Sequence, residues 1–318
     1  MSRVVCTVCT SDRVNGALAV YSSLKDARFD HFYIFCIGDL NGGEVKALDD
    51  RIEIIDLLPF FSESKKMYER DFSQLNLTEI CCYFKPFALR YLLGIHGKRD
   101  AEILYVDSDM YFFQSDLGFL EGKWGVLLTP HLTPNVKHNL PDFEVIIKSG
   151  TFNAGLLAVK SGKTGVEFVN YWWESVNRDC SIDYYRGVNA DQKWLDLVPH
   201  MFADVKVVSG EGLNVGHWRI DSIEEFSRTE DKLLHKEEAL VCFHFSGFAE
   251  GLLPKLSRHS DLTVKKNSTL ECITTSYAST LSQFSKYNKE LSLKGGGPKG
   301  YLQKVGGKFR RAILRALV

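Results

Sequence analysis

Short apolar runs alternate with amphipathic stretches along most of this chain. RVVCTVC (residues 3 to 9) reads as a buried first strand, and RVNGALAVYSSLKD (13 to 26) as a helix with small and apolar residues on one face. HFYIFCIG (31 to 38) is a second strand; a helix and a third strand, RIEIIDLL, follow. This β-α-β-α-β opening predicts a mostly parallel sheet with helices on both faces, which binds ligands at the carboxyl ends of its strands. CCYFKPFALRYLLGIHG predicts a helix with Pro86 near its first turn. After the polar break KRDAE, a strand runs from Ile103 to Val106 and delivers Asp107 at its carboxyl end. WGVLLTP, FNAGLLAVK, the aromatic helix GVEFVNYWWESV, the polar loop DCSIDYYRGVNADQ and the apolar run ALVCFHFSGF (239 to 248) complete the ordered part. No internal repeat occurs, and KGGGPKG (294 to 300) predicts a flexible joint.

The 318 residues, 45% hydrophobic and 25% charged, suit one large α/β domain or two small ones. Net charge is only -1, which argues against a nucleic-acid partner, but the charge is uneven. From Asp261 to Val318, eleven Lys and Arg face three acids, so that segment is +8 and residues 1 to 260 carry -9. No apolar leader and no run of 18 apolar residues occurs, so the expectation is a cytosolic chain that does not span a membrane. The eight cysteines sit mostly in apolar runs and are expected as reduced core thiols, Cys6 and Cys9 of the C-x-x-C included.

VDSDM places Asp107 and Asp109 one residue apart at a strand end. Residues i and i+2 share a side of a strand, so the carboxylates converge if strand geometry persists. Two like charges that close raise one pKa unless a cation intervenes, and hard oxygen ligands suit magnesium or manganese. The alternative is a solvated turn with Asp109 capping the next element. A metal here fits two reactions: phosphoryl transfer of the haloacid dehalogenase type, which needs a Thr where Tyr111 stands, or transfer from a nucleotide sugar, with the metal neutralising the leaving diphosphate.

Taken in order, the motifs from about residue 3 to 259 resemble those of GT-A nucleotide-sugar glycosyltransferases, and most closely glycosyltransferase family 8, which includes glycogenin and bacterial lipooligosaccharide galactosyltransferases. GALAVYSSL (16 to 24) resembles the family's first helix. The resemblance implies nucleoside contacts at Thr7, Cys9, Thr10 and Arg13, the last replacing an aromatic residue. It implies a donor-binding lysine at Lys85, which alone also reads as a snorkelling surface residue. VDSDM resembles the metal motif, with Ser108 among the donor contacts; FNAGLLAV implies that Asn153 bonds the donor sugar, whereas alone it could cap a turn. NADQ implies Asp191 and Gln192 beside that sugar, with helix capping as Asp191's alternative. FHFSGF implies His244 as third metal ligand and Gly247 as a donor contact; by composition alone His244 would be a core residue. Glu250 stands where the family has a phosphate-binding lysine, which leaves Lys255 or Arg258 for the diphosphate.

The implied protein is an α/β, Rossmann-like GT-A domain over 1 to 260 with a basic helical tail over 261 to 318. It would be a manganese- or magnesium-dependent transferase moving a sugar, from a UDP-sugar, to a glycan or lipid-linked acceptor with retention. Asp191 would serve as electrostatic stabiliser or nucleophile. A sugar-phosphate phosphatase and an inactive glycan- or lipid-binding relic are the alternatives. In the tail, Leu302, Val305, Phe309 and Ile313 recur at helical spacing beside Lys304, Lys308, Arg311 and Arg315. That pattern reads as a peripheral anchor on anionic membrane or as a helix docked on the domain's own core, with Gly306 and Gly307 weakening either helix by about 1 kcal/mol each.

Overall fold

A computed structural model of the chain describes residues 2–60, 74–134, 140–249, 251 and 253–291. β1 (Ser2–Thr10), α1 (Val14–Leu24), β2 (His31–Ile37), α2 (Gly42–Lys46) and β3 (Ile52–Asp56) form the expected opening, with the three strands parallel. The apolar runs explain this: seven of the nine residues of β1 and six of the seven of β2 are buried, as strands covered on both faces require.

α3 (Leu77–His96) begins earlier than its apolar run suggests. Asn76 and Glu79 form a reciprocal capping box, Asn76 Oδ1 accepting from the amides of Thr78 and Glu79 while Glu79 Oε2 accepts from the Asn76 amide. Pro86 therefore lies in the helix interior and not in the first turn. It removes one backbone bond, which the buried face of Tyr83, Phe84, Ala88, Leu89 and Leu92 offsets at about 1.5–3 kcal/mol per fully buried large apolar side chain.

β4 (Ala101–Val106) is buried throughout and lies parallel to β1. The chain then turns, and β5 (Met110–Phe112) leaves the large sheet. β6 (Val126–Pro130), α4 (Leu140–Ser149), β7 (Phe152–Lys160) and α5 (Lys163–Arg178) come next, with β7 antiparallel to both β4 and β6. After the hairpin of β8 (Ile182–Asp183) and β9 (Val188–Asn189) and the short α6 (Val198–Met201), β10 (Val205–Val207) completes the large sheet. Its order is β10-β6-β7-β4-β1-β2-β3.

β11 (Val215–Gly216) belongs to a second, small sheet. β12 (Phe226–Arg228), β13 (Leu233–His235) and β14 (Glu238–Ala239) form a separate antiparallel meander. β15 (Cys242–His244) lies between β11 and β5 in the small sheet, pairing Gly216 with His244 and His244 with Met110. A hairpin of β16 (Lys255–Ser257) and β17 (Ser260–Thr263) leads to α7 (Thr269–Phe284), which packs on α1 and buries Leu270, Ile273, Tyr277 and Phe284. All eight cysteines are free, and Cys6 and Cys9 are buried on β1. No helix among the described residues is long and apolar enough to cross a membrane. The repeat of Leu302 to Ile313 lies outside the described residues.

Candidate active site

Asp107 and Asp109 stand where the chain passes from the large sheet to the small one. They do not converge by strand alternation, because β4 ends at Val106 and a turn closes through Met110 N donating to Asp107 O at 3.1 Å. The Asp107 amide stays tied to β7 through Gly155 O at 2.8 Å. Phe245 N donates to Asp109 O at 2.8 Å, so the end of β15 is sewn to the same turn.

This junction brings three candidate ligands of two types together. Oxygens of Asp107 and Asp109 and a ring nitrogen of His244 all lie within 4.8 Å of one another, and His244 Nε2 is 3.0 Å from Asp109 Oδ1. The other ring nitrogen, Nδ1, faces Asn214 Oδ1 at 3.3 Å. The Asn214 amide nitrogen donates to Thr129 Oγ1 and Asn153 Oδ1 at 2.9 and 3.1 Å, which fixes its oxygen toward His244. His244 therefore presents Nε2 to the carboxylates, the orientation a metal-binding imidazole needs. Burial alone would lower the His244 pKa, but Asp109 and Asp107 reverse this and raise it. Burial likewise pushes Asp109 up, and the His244 charge more than compensates. Two carboxylates and an oriented imidazole are a donor set that fits a divalent cation such as manganese or magnesium.

Lys85, on the buried face of α3, closes the opposite side. Its ammonium lies 2.9 Å from Asp107 Oδ1, 3.0 Å from Oδ2 and 3.5 Å from Asp191 Oδ2. Burial opposes this charge, yet the two carboxylates hold the Lys85 pKa well above its ordinary value. It is not a snorkelling surface residue, since only 8% of its side chain is exposed. Asp191 is 2% exposed, and burial raises its pKa against the pull of Lys85. Its carboxylate meets Lys85 while its carbonyl accepts from Trp172 Nε1 at 2.8 Å. Tyr105, two residues before Asp107, donates to Asp107 Oδ1 at 2.8 Å.

Asn153 links the halves. Its oxygen accepts from Gly155 N at 3.0 Å, and its nitrogen lies 3.2 Å from His131 Nε2 and 3.5 Å from Gln192 Oε1. Gln192 Oε1 also accepts from Ala154 N at 3.2 Å while its amide donates to Ser149 O at 3.1 Å. The absence of a side chain at Gly155 is a geometric requirement: a Cβ there would lie 2.4 Å from the His244 ring and 2.8 Å from both Asp107 Oδ2 and Asn153 Oδ1.

Lys85, Asp107, Asp109, Asn153, Asp191, Gln192 and His244 are thus one connected cluster. Ser108 lies in the turn itself, its carbonyl against Gly16 of α1. Thr7 and Cys9 are buried on β1, Thr10 bonds Asp12, and Arg13 is exposed on the turn before α1. Lys255 pairs with Asp261 at 2.8 Å, and Gly247 (φ +74°) lies against the exposed Arg258. Among the described residues no hydrogen bond or ion pair joins these last six, or Arg258, to the cluster; Glu250 lies outside the described residues. Sequence reasoning missed Tyr105, His131, Asn214, Trp218 and Arg219. The alternation of Tyr105 with Asp107 was a usable signal. The others lacked one, because His131, just after β6, and the loop from 210 to 219 reach the site only through tertiary contacts. Arg219 donates to the carbonyls of Pro130, His131, Gly210 and Leu213 and pins that loop to the end of β6.

The fold has counterparts among solved structures. An active-site mutant of LgtC shares 16% identity at a TM-score of 0.50, with 87% of this chain and 95% of that one covered. The fold resembles the GT-A glycosyltransferase fold. The glycosyltransferase GlyE of Streptococcus pneumoniae TIGR4 also gives a TM-score of 0.50 at 14% identity, over 90% of this chain and 64% of GlyE. In sequence, the chain is 23% identical over 254 residues to the uncharacterized protein YfnF of Bacillus subtilis (strain 168), covering 78% of this chain and 82% of YfnF. It is 28% identical over 176 residues to the uncharacterized protein YfnD of the same organism, and the match spans about half of each (54%). No protein-family model matches the chain. The GT-A-like fold agrees with the expected fold class, and its Asp-Asp-His group stands at the carboxyl end of a central strand.

Proposed function

We propose that this chain is a metal-dependent glycosyltransferase that moves a sugar from a nucleotide-diphosphate sugar, a UDP-sugar, to a hydroxyl of a glycan or lipid-linked acceptor, with retention. The observation that carries this reading is the Asp107, Asp109 and His244 cluster backed by the Lys85–Asp191 pair in a GT-A-like fold. Asp107, Asp109 and His244 would hold manganese or magnesium, which supplies positive charge beside the donor diphosphate. Asn153 and Gln192 would orient the donor sugar through amide groups already fixed by His131 and Ser149. Asp191, ionised beside Lys85, would stabilise the oxocarbenium character that develops at the anomeric carbon. The carbon–oxygen bond to the diphosphate breaks with its electron pair on the leaving oxygen. The acceptor oxygen bonds the same carbon and gives up its proton to that leaving group. Thr7, Cys9, Thr10, Arg13, Ser108 and Gly247 would line the nucleotide side.

The test is nucleotide release from a panel of nucleotide sugars, with and without acceptors, in chelated and manganese-supplemented buffer. Wild type should turn over only with metal. Asp109→Ala should lose at least about a hundredfold in rate while keeping its melting transition, because one ligand of three is lost from a side chain that is 42% exposed. Undiminished turnover by wild type in chelator, or wild-type turnover by Asp109→Ala in manganese-supplemented buffer, would defeat the reading. Product NMR at the anomeric centre would decide retention.

A further inference from the structure

The carboxylate-rich cluster leaves a charge imbalance for any diphosphate. Asp107, Asp109 and Asp191 against Lys85 and a divalent cation sum to zero, whereas a nucleoside diphosphate departs with about two to three negative charges near neutral pH. Further donors must stand beside the cluster. Lys255 is paired with Asp261 at 2.8 Å.

Two histidines occupy that place. His217 comes directly after Gly216, whose register partner is His244, so it stands one residue beyond the metal-ligating edge of β15. Its ring lies 5.6 Å from that of His259, and the two planes are tilted by 33°. His259 and Arg258 reach this edge from the β16–β17 hairpin because Gly247 carries no side chain: a Cβ there would come within 2.5 Å of His259 Cδ2 and 2.9 Å of Arg258 Cγ. Arg258 N donates to Gly247 O at 3.1 Å, which fixes the hairpin against the loop after His244. Arg258 is exposed and makes no ion pair among the described residues. A second observation points to a missing acceptor. Trp218 lies edge-on to His244, His131 and His217, at centroid distances of 5.2, 5.2 and 5.3 Å, and its buried indole N–H makes no hydrogen bond among the described residues. Ring N–H groups, an unpaired guanidinium and a buried indole donor together suit a ligand that only accepts, such as a diphosphate.

We propose that His217, His259 and Arg258, with Trp218 behind them, form the seat of the leaving diphosphate and replace the lysine whose place Glu250 occupies. This rests on the sugar-transfer reading. The test is calorimetric titration of manganese-loaded protein with inorganic pyrophosphate. Wild type should bind, and His259→Ala and Arg258→Ala should each weaken binding about tenfold, the loss of one hydrogen bond to a charged group. Affinity for manganese alone should not change, and His259→Lys should recover most of the loss. Lys265→Ala, which removes a surface charge paired with Glu224, serves as the charge control. If wild type binds pyrophosphate and both variants bind within twofold of it, or if only Lys255→Ala weakens binding, this seat is wrong and the sugar-transfer reading stands. If wild type shows metal-dependent binding of neither pyrophosphate nor any nucleoside diphosphate, both fall.

Discussion

Gly155 is the residue at which the site tolerates least. An added Cβ would collide at once with His244, Asp107 and Asn153, and the ring and carboxylate cannot both retreat without leaving the Asp109 oxygen. Gly155→Ala is expected to weaken manganese binding at least about tenfold and to lower stability by about 1–3 kcal/mol. Metal titration and urea unfolding check the two parts, and wild-type affinity in the variant would mean that the ring has room to move. The residues of the candidate site were legible in sequence because their types are unusual in apolar runs: D-x-D, Asn153 and His244 each interrupt a strand-like stretch. Gly155 was visible in the same motif, but its role was not, since the close approach of His244 from β15 and Asp107 from the turn after β4 leaves no local trace.

Between elements, the turn that carries the two carboxylates is held by a helix contact as well as by strands. A Cβ at Gly16 would lie 2.4 Å from the Ser108 carbonyl, so α1 seats directly on the Asp-Ser-Asp turn. Gly16→Ala should shift that turn and weaken metal binding about tenfold even though alanine favours helix by about 1 kcal/mol, and a melting curve with metal titration separates the two effects. The β-α-β opening was legible because parallel strands read as unbroken apolar runs. The start of α3 was not, because the apolar run and Pro86 outweighed the quieter signal of Asn76 and Glu79. ALVCFHFSGF reads as a strand, but its place in a small sheet escaped, because its partners β5 and β11 are three and two residues long, below the length at which alternation says anything.

Across the whole molecule, site and stability are coupled through buried histidine. Burial pushes His131 down to about 3 from an ordinary 6.5, against the opposing pull of the Gly150 carbonyl. Above pH 6.5 the ring is neutral in folded and unfolded chains alike, and it contributes no pH dependence. Below that, the unfolded chain takes up a proton that the fold refuses, so His131 alone should cost up to about 1.4 kcal/mol per pH unit until about pH 3. Urea unfolding at pH 7 and pH 5 should show a shallower decline for His131→Gln than for wild type; equal slopes would place the acid sensitivity elsewhere. The charge division is also a property of the whole chain. Five of the cations behind the +8 on residues 261 to 318 lie beyond Gly300, so we expect truncation there to release the protein from sedimenting anionic vesicles; unchanged sedimentation would rule out that anchor.

The last described residues run across the carboxyl ends of β1 and β2. Lys289 N donates to Ser11 O at 2.8 Å, Asn288 Oδ1 accepts from Asn15 N at 2.8 Å, and a Cβ on Gly38 would lie 2.7 Å from the Leu291 side chain. Lys294 comes three residues later, a reach of at most about 11 Å. A partner held by the residues that follow would stay within a chain's length of that edge, so its encounter with the Asp-Asp-His group would depend on tether length more than on bulk concentration.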